Sequence, residues 1–93
     1  MMHWKIEYSI EAQNKILKLD KTIRKRIENF VERLSELPSP RMRGEALTGN
    51  LSEFWKYRVG DYRLICRIQD DKLIVLVVTV GHRSRIYKNF TKF

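Results

Sequence analysis

The side chains best suited to chemistry lie in one stretch, residues 54–87: FWKYRVGDYRLICRIQDDKLIVLVVTVGHRSRIY. Two alternating runs flank the pair Gly60-Asp61, which is a hairpin signal. With the turn on those two residues, Val59 faces Tyr62, Arg58 faces Arg63, Tyr57 faces Leu64, Lys56 faces Ile65 and Phe54 faces Arg67. Side chains alternate between the faces of a strand. One face then carries Trp55, Tyr57, Val59, Tyr62, Leu64, Cys66 and Ile68, and the other Phe54, Lys56, Arg58, Arg63, Ile65 and Arg67. The first reads as a core face. The second gathers four cations, which repel one another across a sheet unless an anion meets them. A nucleic-acid backbone is such an anion. The alternative is a solvated face whose long side chains simply cover the sheet.

Such a face could bind a phosphodiester; whether it could also cleave one depends on what metal-free cleavage of RNA needs. That requires loss of a 2′-hydroxyl proton, stabilisation of a dianionic phosphorane and protonation of the leaving 5′-oxygen. Lys56 stands among Arg58, Arg63 and Arg67, whose like charges are expected to lower its pKa and favour a role as base. Arginines stay charged and suit bidentate phosphate clamping. His82 is the histidine near the cluster and could supply the acid, or be a turn residue with no chemical part. Tyr87 can stack on a base or pack on the sheet edge. Arg41 and Arg43 just before the strands, and Arg85 beyond them, are further candidate phosphate ligands. Glu53, at the cluster margin, could serve as a carboxylate base or be an ordinary surface acid; Trp55 and Tyr57 read as core, and Cys66 as a small buried apolar residue.

Size and charge set the frame. Ninety-three residues make one domain, residues 1–93, with 43% hydrophobic residues. The 19 Lys+Arg against 11 Asp+Glu give a net charge of +8, which favours an acidic partner, nucleic acid or protein. One cysteine excludes an intrachain disulfide, and two histidines far from it give no metal-site spacing. No apolar run approaches the ~20 residues of a membrane span, and MMHWKIEYSIEA lacks a secretory h-region. The expected location is cytoplasmic, with no membrane partner, metal or cofactor.

The elements that must position the cationic face follow from spacing. Residues 3–8 alternate and predict a first strand. Ser9 is a candidate N-cap for a helix over 10–19, and Asp20 for the next. Ile23, Ile27, Phe30, Val31, Leu34 and Leu37 form one apolar stripe at helical spacing, stopped by Pro38 and Pro40. Residues 41–50 read as a loop longer than usual. The run LIVLVVTV at 73–80 is apolar on both faces, as in a central strand. Strand, helix, helix and three strands (β-α-α-β-β-β) predict an α+β layer, two N-terminal helices packed on a small, mainly antiparallel sheet.

The order of elements, YRLICRI at 62–68, VGHRSRIY at 80–87 and the segment LTGNLSEFWKYRVGDYR resemble the RelE/ParE superfamily of bacterial and archaeal toxins, and its RelE branch in particular. The resemblance covers nearly the whole chain. It implies a RelE-like fold and the toxin of a type II toxin–antitoxin system, neutralised by a RelB-like antitoxin. It implies an mRNA endonuclease that works without metal in the ribosomal A site, meeting 16S rRNA and A-site mRNA. The 2′-hydroxyl attacks phosphorus and leaves a cyclic phosphate and a 5′-hydroxyl. The same superfamily includes ParE-like toxins, which inhibit DNA gyrase and cut no RNA. By resemblance, Lys56 is a base or phosphate ligand, Arg63 a phosphate ligand, Arg83 a general acid or transition-state clamp, and Tyr87 a substrate-orienting ring. Some relatives carry a second lysine where this chain has Phe54, and a longer spacing between Arg83 and Tyr87. These departures touch the proton-transfer roles more than phosphate binding.

Overall fold

Alternation and helical spacing become elements in the computed structural model, which describes residues 3–87. Strand β1 (Lys5–Tyr8) is followed by helices α1 (Ile10–Leu17) and α2 (Lys21–Ser35). A short strand β2 (Glu45–Ala46) then precedes β3 (Phe54–Val59), β4 (Tyr62–Gln69) and β5 (Ile74–His82). The sheet order is β1-β5-β4-β3-β2. Only β1 pairs in parallel, with β5; the other pairs are antiparallel.

Local chemistry sets these boundaries. Ser9 caps α1 by accepting from the Ala12 N–H at 3.0 Å, while its hydroxyl donates to the Val78 carbonyl at 2.6 Å. One side chain thus starts the helix and fixes it to β5. Helix α1 ends at Leu17, two residues before the expected limit. Asp20 takes the N-cap position of α2 but makes no side-chain cap bond. The stripe of α2 packs as its spacing predicts, with Ile27, Val31 and Leu34 buried against the sheet.

The hairpin register is the predicted one, from Val59↔Tyr62 to Phe54↔Arg67. Gly60 sits at φ +60°, the left-handed conformation that glycine adopts without penalty at a tight hairpin turn. Two departures from the sequence reading matter for the site. The 41–50 segment is not a bare loop: it contains two 3₁₀ turns, Pro40–Arg43 and Gly49–Leu51, and the edge strand β2 between them. The sheet therefore has five strands where the sequence predicts four. Secondly, the β4–β5 ladder shifts register between Ile65 and Cys66, which pair with Thr79 and Val77. This bulge leaves Val78, on the face opposite the helices, without a β4 partner and returns Val80 to the helix-side core.

That face has a small apolar cluster of its own. Ile65 and Ile86 are its buried centre, with Leu47, Leu51, Phe54, Val78 and Tyr87 around them. The main core lies under the helices and includes Tyr57, Leu64, Cys66, Val75 and Val77. The double-faced apolarity of β5 is thus shared between two clusters.

Candidate nucleic-acid interface

The cationic face is built in rows across the sheet. Lys56 of β3 has Glu45 of β2 on one side and Ile65 of β4 on the other. The next same-face row, roughly 6.6 Å toward the hairpin turn, is Arg58, Arg63 and Gly81. A row in the opposite direction holds Phe54, Arg67 and Leu76.

After β5 the chain doubles back over this face. The Arg85 N–H donates to the His82 carbonyl at 2.9 Å, which closes a turn. Ile86 follows and is buried against Ile65, with its side chain over Gly81. Tyr87 is thereby delivered to Lys56, whose ammonium lies 5.7 Å from the ring centroid. Arg83 is held at the other end of the site. Its N–H donates to the Asp61 carbonyl at 2.8 Å, and its Nε stands 3.7 Å from Asp61 Oδ1. Arg63 turns to the same hairpin, donating through Nη1 to the carbonyls of Gly60 at 3.0 Å and Tyr62 at 2.9 Å. Arg63 and Arg83 are therefore both bonded to the hairpin turn at residues 60–62, while Lys56 and Tyr87 meet in the middle of the sheet.

The other candidates divide. Arg58 is exposed beside Arg63, and Arg85 is exposed on the closing turn. Arg67 is exposed farther along the face, 3.8 Å from Glu53. Arg41 and Arg43 do not belong to this face. Arg41 makes two bonds to Asp70, at 2.8 and 2.7 Å, and lies over the Trp55 ring at 5.6 Å from its centroid. Arg43 lines a pocket with Phe30, Arg33, Leu34 and Leu37. Both stand on the helix side, because the 3₁₀ turn Pro40–Arg43 is tied under the sheet by the Tyr57 hydroxyl, which donates to the Pro40 carbonyl at 2.9 Å. His82 is also turned away from Lys56. It is the strand partner of Tyr62, and the two rings meet edge to face at 5.6 Å and 84°.

Charge on the cationic face is partly balanced. Lys56 stands 3.9 Å from Glu45, Arg67 3.8 Å from Glu53 and Arg83 3.7 Å from Asp61. Among the described residues Arg58 and Arg63 pair with no carboxylate. Ion pairs this long and this exposed contribute about 0–1 kcal/mol. A phosphate taking bidentate arginine bonds outcompetes them. The sequence reading places arginines around Lys56; the structure gives it Glu45 and Ile65 as cross-strand neighbours. Glu45 escaped the sequence reading because a two-residue strand has no periodicity to detect. Nor did the sequence identify Ile86 as the anchor that brings Tyr87 back over the sheet.

Elsewhere, a groove of about 530 Å³ between α1 and α2 is lined by Tyr8, Ile16, Leu17, Lys21, Arg24 and Lys25, among others. It lies on the helix side, away from the cationic face. Among the described residues no three His, Cys, Asp or Glu side chains are grouped to hold a metal, and no helix is long and apolar enough to cross a membrane.

Residues 6–87 match the family of the ParE toxin of type II toxin–antitoxin system, parDE. The chain is 29% identical over 85 residues to the mRNA interferase toxin RelE of Escherichia coli K12, covering 90% of this chain and 87% of that protein. It is similar to the solved toxin–antitoxin complex RelBE2 of Mycobacterium tuberculosis, at 28% identity and a TM-score of 0.81, covering 90% of this chain and 95% of that one. It is also similar to the isolated E. coli RelE toxin, at 25% identity and a TM-score of 0.71, covering 96% of each chain.

Proposed function

This chain belongs to the family of ParE toxins of type II toxin–antitoxin systems, and we propose that it acts as a RelE-like mRNA endonuclease in the ribosomal A site. What supports this reading is that Lys56 meets the Tyr87 ring with Glu45 beside it, while Arg63 and Arg83 are both bonded to the adjoining hairpin turn. Arg63 and Arg83 clamp the scissile phosphate and stabilise the charge that develops as the 2′-hydroxyl attacks phosphorus. Lys56 and Glu45 take the 2′-hydroxyl proton and pass it through water to the departing 5′-oxygen, and Tyr87 stacks on the base that flanks the cleaved bond. The products are a cyclic phosphate and a 5′-hydroxyl, and no step calls for a metal. Arg58, Arg67 and Arg85, exposed around the site, contact the phosphates of 16S rRNA and the mRNA. Work on the ribosome places the protein in the cytoplasm.

Its partner for neutralisation is a RelB-like antitoxin. The similarity to a toxin solved with its antitoxin supports that, as does a net charge of +8 that an acidic chain would offset. The basic rim and apolar floor of the α1–α2 groove suit an acidic amphipathic segment.

Primer extension on mRNA in a translating extract tests the reading. Cuts phased with codons that vanish in Arg83→Ala support it. The ParE description of the matched family favours a second reading, inhibition of DNA gyrase by binding. Intact mRNA together with double-strand breaks in gyrase-bound DNA would establish that one instead.

A further inference from the structure

His82 is a titratable side chain that the mechanism above leaves idle, yet it stands at the root of the turn that carries Arg83. Its carbonyl closes the turn by accepting from the Arg85 N–H at 2.9 Å. Its ring acts inside the same turn: the Ser84 N–H donates to Nδ1 at 3.2 Å, and the Ser84 hydroxyl oxygen lies 2.9 Å from that nitrogen. A ring nitrogen that accepts from a backbone N–H carries no proton, so the neutral imidazole holds its hydrogen on Nε2. A side chain that accepts from the N–H two residues on is the arrangement of an Asx-turn, with imidazole in place of a carboxamide. The ring is steadied from the other side by Tyr62. Within the turn Arg83 is bonded to Asp61 through its backbone, and beyond it Ile86 is buried against Ile65.

We infer that His82 is a positioning residue for Arg83: the ring accepts the Ser84 N–H and holds the 82–85 turn so that the Arg83 guanidinium stands beside Asp61 at the hairpin turn, ready to meet the phosphodiester. The inference rests on the nuclease reading only for its effect on cleavage. Protonation makes Nδ1 a donor that faces the Ser84 N–H, and that bond is lost. Tyr62 is the ring's neutral neighbour, and Tyr62 also lines a small pocket with Arg26 of α2 and Asp61.

The test uses the full chain and two variants. His82→Asn keeps an acceptor near the Nδ1 position, and His82→Leu removes it. Ring nitrogen spectra of the native protein at pH 8 should report the Nε2–H tautomer, and acidification should move the Ser84 amide resonance together with the ring. Cleavage is compared among native protein, His82→Asn and His82→Leu at pH 8. His82→Asn should cleave like the native protein, and His82→Leu about three- to tenfold more slowly, the effect of one net hydrogen bond. An Nδ1–H tautomer at pH 8, or a His82→Leu protein that cleaves as fast as the native one, overturns the inference. If the native protein cleaves no mRNA, the nuclease reading fails, and the ring and amide spectra alone still decide the positioning role.

Discussion

The ammonium of Lys56 lies 5.7 Å from the centroid of the Tyr87 ring. The two residues come from the middle of β3 and the returning tail, and they meet because Ile86 is buried on Ile65. The ring has two uses: it receives the lysine, a contact of about 0.5–1 kcal/mol at an exposed site, and it offers a stacking surface, about 1–3 kcal/mol per base. Tyr87→Phe keeps both, so its cleavage rate should stay within about threefold of native. Tyr87→Ala removes both and should lose about tenfold or more. Quantified primer extension in a translating extract reads the difference.

Arg63 and Arg83 carry the clearest prediction. In the free protein their side chains meet backbone carbonyls and one exposed carboxylate, not core. Arg63→Ala and Arg83→Ala should each abolish growth inhibition on induced expression. Their unfolding free energies should stay within about 0.5 kcal/mol of native, as for surface substitutions generally. Arg63→Lys should not restore toxicity, because one ammonium cannot replace a planar fork. Full toxicity of both alanine variants at equal expression would remove these residues from the site.

Much of this geometry is legible in the sequence, and the rest is not for definite reasons. The hairpin register follows from Gly60-Asp61 between alternating runs, so the shared face of Lys56, Arg58, Arg63 and Arg67 could be read directly. Arg41 and Arg43 could not be placed. Their side of the sheet depends on a 3₁₀ turn fixed by a hydrogen bond between Tyr57 and Pro40, a contact across 17 positions. Glu45 reaches Lys56 through a strand too short to leave a pattern. His82 has the residue type of an acid, but strand alternation from Tyr62 turns it to the other face.

Acidification should loosen the tie between the Pro40–Arg43 turn and the β4–β5 connection. Hydrogen bonds from Arg41 hold the Asp70 carboxyl below its ordinary value of 3.8. The unfolded chain therefore binds more protons than the native one in that range, and stability rises with pH there. The contribution is complete above the unfolded value and is lost as pH falls from about 4 through the lower folded value. In urea melts at pH 3 to 6, Asp70→Asn should show a smaller loss toward acid than the native protein. Equal slopes would mean that the pair adds nothing to folding.

Gly44 is the position where a single methyl group should reach from the fold to the site. A Cβ there would stand 2.7 Å from Tyr57 Cε1 and 2.8 Å from its Cζ. The ring cannot retreat, because Tyr57 is buried and its hydroxyl is bonded to the Pro40 carbonyl at 2.9 Å. Gly44→Ala should therefore destabilise the protein by about 1–3 kcal/mol, the usual range for overpacking, and lower the melting temperature by about 4–8 °C per kcal/mol. It should also weaken cleavage, since Gly44 leads into Glu45, the partner of Lys56 across β2 and β3. Tyr57→Phe should cost about 1–3 kcal/mol by leaving the Pro40 carbonyl unpaired. The double variant discriminates. A phenylalanine ring at this position has no hydroxyl to hold it to Pro40 and can shift to admit the methyl group, so the combined loss should be smaller than the sum. An additive loss would show that the obstacle is the Lys56 carbonyl, 3.2 Å from the added Cβ, and that the strain is carried by the β3 backbone.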